Sequence, residues 1–187
     1  MMRKLGFGLG LLLVAAWLGA PARAATLLAL DLSQLVEMSD FVVLGKAQSR
    51  ASRKVDSGMI VTDVRLQVVT ALKGAVKAGA PLTATLAGGE IGDLALTVPG
   101  EAVIPDDQGA IVFLRKNERG ELNVTGMSQG VMRVSGVGKT AQVLPGGSGA
   151  ALVQQGNDGK LRDAPDALLQ PRGLGEVLAE IRRLAAK

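Results

Sequence analysis

MIVTDVRLQVVTAL, residues 59–72, decides the fold. Ile60, Val64, Leu66, Val68 and Leu72 recur on one face, with Thr62 and Thr70 in the same register. Asp63, Arg65 and Gln67 fall on the other face. A period of two sustained this long predicts a strand with one side in a core and one in water. Asp56-Ser57-Gly58 before it is a turn signal, and Lys73-Gly74 ends it.

Upstream, Phe41-Val42-Val43-Leu44-Gly45-Lys46-Ala47 is a second β-rich run, in which Gly45 predicts a bulge or sharp bend. Before that run, Asp31 followed three residues later by Gln34 has the form of a capping box. It predicts a short helix burying Leu32, Leu35 and Val36 and ending near Ser39-Asp40. Downstream, Pro81 to Leu86 is a third strand, broken by Gly88-Gly89 and expected to resume over Leu94 to Val98. Pro99-Gly100 and Asp106-Asp107-Gln108-Gly109 are turns. Ala110-Ile111-Val112-Phe113-Leu114 is apolar without interruption, as in a central strand covered on both faces. Asn117 to Gly120 is a turn, and Leu122 to Met127 and Val131 to Val134 are the last strands of the set.

Residues 135–149 are glycine-rich and expected to be mobile. Ala150 to Gln154 and Lys160 to Arg162 flank Asn157-Asp158-Gly159, the pattern of a small hairpin. The chain closes with an amphipathic helix whose apolar face is Leu174, Val177, Leu178, Ile181 and Leu184. Glu176 and Glu180 lie toward its start and Arg182, Arg183 and Lys187 toward its end, an order that suits the helix dipole.

The first 24 residues read as a secretory signal peptide. Arg3 and Lys4 make a positive start, Leu5 to Leu18 is apolar, and Ala22-Arg23-Ala24 places small residues where a signal peptidase reads them. Cleavage is expected between Ala24 and Ala25, leaving a periplasmic or secreted protein with no stable membrane insertion. The leader removes Arg3, Lys4 and Arg23 and no acid, so the 21 basic and 17 acidic residues become 18 and 17, and the net charge drops from +4 to +1. The pI of about 9.7 therefore does not argue for nucleic acid or an anionic surface.

Composition excludes much chemistry. The chain has no His and no Cys, so imidazole catalysis, disulfides and the usual zinc sites are gone. It has no Tyr, and its single Trp, Trp17, lies in the leader. Phe41 and Phe113 are the rings that remain, both in apolar strand runs and both expected in the core.

Three segments carry a family resemblance. Ser39-Asp40-Phe41-Val42-Val43-Leu44-Gly45-Lys46 is similar to the opening of netrin-like, tissue-inhibitor-of-metalloproteinase-like domains. Val68-Val69-Thr70-Ala71-Leu72-Lys73-Gly74 resembles one of their strand ends, and Gly109-Ala110-Ile111-Val112-Phe113-Leu114 another of their strands, in the same order over residues 39–115. Gly126-Met127-Ser128-Gln129-Gly130-Val131-Met132-Arg133-Val134 is similar to a segment found in exported bacterial proteins that share the resemblance. The resemblance implies an OB-like, five-stranded barrel. It does not bring the family's inhibitory mechanism, which chelates the protease zinc through an N-terminal cysteine that this chain lacks.

Four candidate sites have competing readings. Gly88-Gly89-Glu90-Ile91-Gly92-Asp93 could cradle a phosphate, but it lacks the Lys-Ser/Thr of a P-loop and reads better as a glycine-rich hairpin. Asp106 and Asp107, with Glu101, could bind calcium, but adjacent acids diverge, and a solvated turn fits better. A Ser-Lys nucleophile is the familiar catalytic pairing left. Gly147-Ser148-Gly149 reads as a linker serine, and no serine is expected on a strained Gly-x-Ser-x-Gly elbow. The C-terminal helix could dock a partner but is expected to cover its own sheet.

The expectation is a mainly β chain: signal peptide 1–24, an OB-like five-stranded antiparallel barrel with a leading helix over 25–135, and a Gly-rich linker, hairpin and helix over 136–187. The expected role is a non-enzymatic binding or structural one in the cell envelope, through an unknown protein partner. No catalytic residue, cofactor, metal or nucleic-acid partner is expected. The alternatives are a hydrolase using Ser, Lys or carboxylates, or a cysteine-free protease inhibitor.

Overall fold

The computed structural model describes residues 25–147 and 149–187. The signal-peptide reading and Ser148 fall outside the described residues. In chain order the elements are β1 (Ala25–Leu28), α1 (Leu32–Glu37), β2 (Phe41–Lys54), β3 (Ile60–Lys73), β4 (Pro81–Ala87), β5 (Gly89–Ile91), β6 (Leu94–Leu96), β7 (Ala110–Lys116), β8 (Leu122–Val124), β9 (Val131–Ser135), β10 (Gln142–Leu144), β11 (Ala150–Gln155), β12 (Leu161–Asp163), β13 (Arg172–Gly173) and α2 (Leu174–Ala185).

Five strands close a barrel: β2 pairs β3, β3 pairs β4, β4 pairs β8, β8 pairs β7, and β7 returns to β2. Every seam is antiparallel except β4–β8, where Ala84 and Thr85 run parallel to Leu122 and Asn123. The barrel is OB-like, as expected. Bulges let β2 bend far enough to pair two neighbours. One shift lies at Leu44/Gly45, and a Cβ on Gly45 would sit 3.1 Å from the Gln67 carbonyl oxygen, which is why glycine serves there.

Alternation sorts side chains into two cores. Val43, Val64, Leu66, Val68, Ala84, Leu86, Val112 and Leu114 fill the barrel. Val42, Ile111 and Phe113 point outward, yet are equally buried, because α1 and α2 lie over them with Leu35, Val36, Val177 and Ile181. The unbroken apolar run of β7 thus supplies both cores. α1 has the expected capping box, with Asp31 Oδ1 accepting from Gln34 N–H at 2.8 Å and Gln34 Oε1 from Asp31 N–H at 2.9 Å. α2 buries the predicted face onto the barrel.

Several expectations change. Leu72 does not share a face with Val68: it joins the outer core while Ala71 packs on the inner one. The β2–β3 register shifts leave Val69 and Leu72 without opposite partners, and each extra residue reverses the alternation. Leu94–Leu96 does not prolong β4; it folds back on Gly89–Ile91 as a ribbon, turning at Gly92 with φ +56°. The strand expected over 122–127 stops at Val124, where a tight turn over Met127–Gly130 begins the approach to β9. β9 pairs the first half of β7 and so leaves the barrel as a wing continued by β10 and β13. β10 lies inside the glycine-rich stretch expected to be mobile, with Val143 buried between the wing and α2. The β11–β12 hairpin forms as expected and takes β1 as a parallel neighbour, Ala25 opposite Ala150.

Candidate functional site

The sheet opens into a notch where β7 begins. Ala110 is opposite Gly45, and β2 then runs on from Lys46 to Lys54 with β3 as its one ladder partner among the described residues, while the Arg50 side chain donates to Ile104 O at 2.8 Å and to Asp106. Val55 N–H donates to Met59 O at 2.9 Å and Gly88 N–H to Ile60 O at 2.8 Å. In an antiparallel ladder these bonds turn the polar groups of Ala51 and Arg53 toward β3 and those of Arg50, Ser52 and Lys54 away from it. Among the described residues no backbone hydrogen bond reaches that second edge. Gln48 to Ala51 are exposed.

At the base of this edge lies a groove of about 400 Å³ between β2 and the wing. Leu44, Val69, Val134 and Val137 line it, with Lys46 and Asp107 at its rim. Val69 is there because of the bulge, at 49 % exposure, and Val137 because the chain turns off β9, at 84 %. An apolar cleft under α2, lined by Met132, Val143, Leu168 and Val177, holds only about 80 Å³, well below the roughly 300 Å³ of a ligand pocket.

A polar cluster covers the outer face of β3, β4 and β8. Arg53 donates to Asp63 and to Glu121, each at 2.7 Å; Thr85 Oγ1 donates to Asp63 at 2.7 Å, and Asn117 Nδ2 to Glu121 at 2.9 Å. The Arg53 guanidinium, with help from Thr85, holds the Asp63 carboxyl below its usual range. The Asn117 amide and then Arg53 do the same for Glu121. Arg53 itself is raised by both carboxylates. The cluster is self-satisfied: it ties the barrel's closing seam and leaves no free base or acid pair.

The sequence candidates separate in space. Gly88–Asp93 is the ribbon hairpin, anchored where Ser52 Oγ accepts from Glu90 N–H at 3.3 Å. Asp106 pairs with Arg50, while Glu101 accepts from Ala87 and Ala102 N–H at 3.1 and 2.9 Å, so the acids do not converge. Phe113 is fully buried, but Phe41 is only half-buried, with the Lys116 ammonium 5.5 Å from its ring centre. It sits where β2 begins and packs against the barrel core, so the expectation of a buried ring holds only in part for Phe41.

A further correction concerns serine. Gly126-Met127-Ser128-Gln129-Gly130 does have the Gly-x-Ser-x-Gly spacing, and Met127 is in the left-handed region at φ +56°. The strain falls on the residue before the serine. Ser128 is 4 % exposed, and its hydroxyl has no hydrogen-bond partner among the described residues, so no base is in place to activate it. The turn is instead a junction. Ser128 N–H donates to Gly100 O at 2.9 Å, and Gln129 clamps β1, accepting from Leu30 N–H at 2.8 Å and donating to Leu28 O at 3.0 Å.

No protein-family model matches the chain, and neither a curated protein nor a solved structure matches it.

Proposed function

We propose that this chain is an exported, non-enzymatic binding module of the cell envelope that acts through protein contacts, on a barrel related to the netrin-like, tissue-inhibitor-like domains. The observation that carries the reading is the notch: a strand edge from Lys46 to Lys54 with no second ladder partner among the described residues, beside an open, largely apolar groove. Strand edges bind other chains through main-chain hydrogen bonds, and flanking pockets select side chains. Export is supported by the leader's charge, apolar run and small-residue site. Kinship is supported by the placement of the three resembling segments on β2, β3 and β7, which lie side by side. The family's zinc-chelating mode stays excluded by the lack of cysteine.

Photo-crosslinking in the native cell tests this reading. A photoreactive residue at Gln48 or Val137 should give a discrete protein adduct, and one at exposed Lys160 on the far hairpin should not. Turnover by purified mature protein in an ester and peptide substrate screen would favour the hydrolase alternative and overturn the reading.

A further inference from the structure

The free edge of β2 has a chemistry of its own. From Lys46 to Lys54 it carries Lys46, Arg50, Arg53 and Lys54 and no acid. Arg50 and Arg53 already hold carboxylates. Lys46, Lys54 and the neighbouring Arg65, which lies opposite Ser49, have no ion-pair partner among the described residues. Lysines and a bulge are the devices that keep an exposed edge from pairing with copies of itself, and the shift at Ala47/Ser49 supplies the bulge. Two copies meeting edge to edge would set Lys46 and Lys54 of one, both without an ion-pair partner among the described residues, against those of the other. A strand bearing carboxylates faces opposite charge at Lys46, Lys54 and Arg65, with Asp107 the like charge at the groove.

We propose that the β2 edge binds an acidic, extended segment of a partner protein, which adds a strand along Arg50–Lys54 and seats one apolar side chain in the Leu44–Val69–Val134–Val137 groove. The proposal rests on the protein-binding reading above. The backbone groups of Arg50, Ser52 and Lys54 supply the ladder, Lys54 and Arg65 the charge, and Lys46 marks the step from the charged edge to the apolar groove. At about 3.3 Å per residue, a segment of some eight residues spans Lys54 to Lys46.

The test titrates the isotope-labelled mature chain with three synthetic peptides: an eight-residue strand of alternating Glu and Val ending in Leu, the same peptide N-methylated at alternate positions, and its Lys-for-Glu counterpart. The acidic peptide should bind with amide shifts confined to Leu44–Lys54, Val69 and Val134–Val137. Lys46→Glu, Lys54→Glu and Arg65→Glu together should weaken it about tenfold, since each is an exposed charge. The N-methylated and basic peptides should not bind. Failure of the acidic peptide to bind, equal binding of the N-methylated or basic one, or shifts elsewhere on the surface would each overturn the edge assignment. Adducts at Gln48 or Val137 in the cell would then still sustain protein binding, so the two failures are distinguishable.

Discussion

Ile181→Ala asks whether α2 covers the barrel or waits for a partner. Ile181 is fully buried in the outer core, beside Val177 and against strands carrying Ile111 and Phe113. The substitution removes three methyl or methylene groups at about 0.8 kcal/mol each, roughly 2.4 kcal/mol. A residual cavity adds about 24 cal/mol per Å³ that does not collapse. The better helix propensity of alanine returns a few tenths. The net cost is about 2–4 kcal/mol. Urea unfolding followed by far-ultraviolet circular dichroism is the assay, because beyond Trp17 the chain has no tryptophan or tyrosine to report by fluorescence. With an m-value of about 2 kcal/mol per molar urea, the midpoint should fall by about 1–2 M. Arg183→Ala, on the exposed face, should stay within about 0.5 kcal/mol of the parent. If Ile181→Ala behaves like Arg183→Ala, α2 is not docked and the outer core is wrong.

Three other outcomes are expected. Gln129→Ala strips the side-chain clamp from β1 and should cost about 1–3 kcal/mol, with amides of residues 28–30 losing hydrogen-exchange protection; unchanged protection there would show that β11 alone holds the strand. Asp63 is depressed in the folded state, so its contribution is present above the ordinary carboxylate range, near pH 4, and is lost as pH falls through its lower folded value. Asp63→Asn should therefore flatten the acid limb of the pH–stability profile, and an unchanged limb would show that the cluster contributes nothing. A single-stranded DNA titration of the mature form should show no micromolar binding at physiological salt, since a net charge of +1 releases few counterions and Phe113 is buried; retained binding would revive the oligonucleotide reading of the barrel.

Much of the fold is legible because burial is periodic. Residues 60–68 alternate as the strand does, α2 shows a helical stripe, and the Asp31–Gln34 capping box is a local chemical signal. What is not legible is non-local. No residue in 25–28 announces a parallel partner 125 positions away, and three residues of β10 are too few to show a period among glycines. Bulges are equally hidden: the alternation through Val68 gives no warning that Val69 and Leu72 each reset it. The candidate site suffers most. A free edge is a property of topology, set by β7 joining β2 only as far as Gly45, and its one sequence trace is the acid-free run of cations from Lys46 to Lys54. Ser128 shows the converse case, a spacing that matches a catalytic elbow while the structure buries the hydroxyl away from any base.

Residue-resolved amide hydrogen exchange along β2 reads directly whether the second hydrogen-bonding edge of the strand is open to solvent. Val42 to Gly45, between β3 and β7, should be protected, as should Ala51 and Arg53 facing β3, while Arg50, Ser52 and Lys54, facing away from β3, should exchange fast. Uniform protection from Phe41 to Lys54 would mean the edge is already occupied within the chain, and would contradict the binding site built on it.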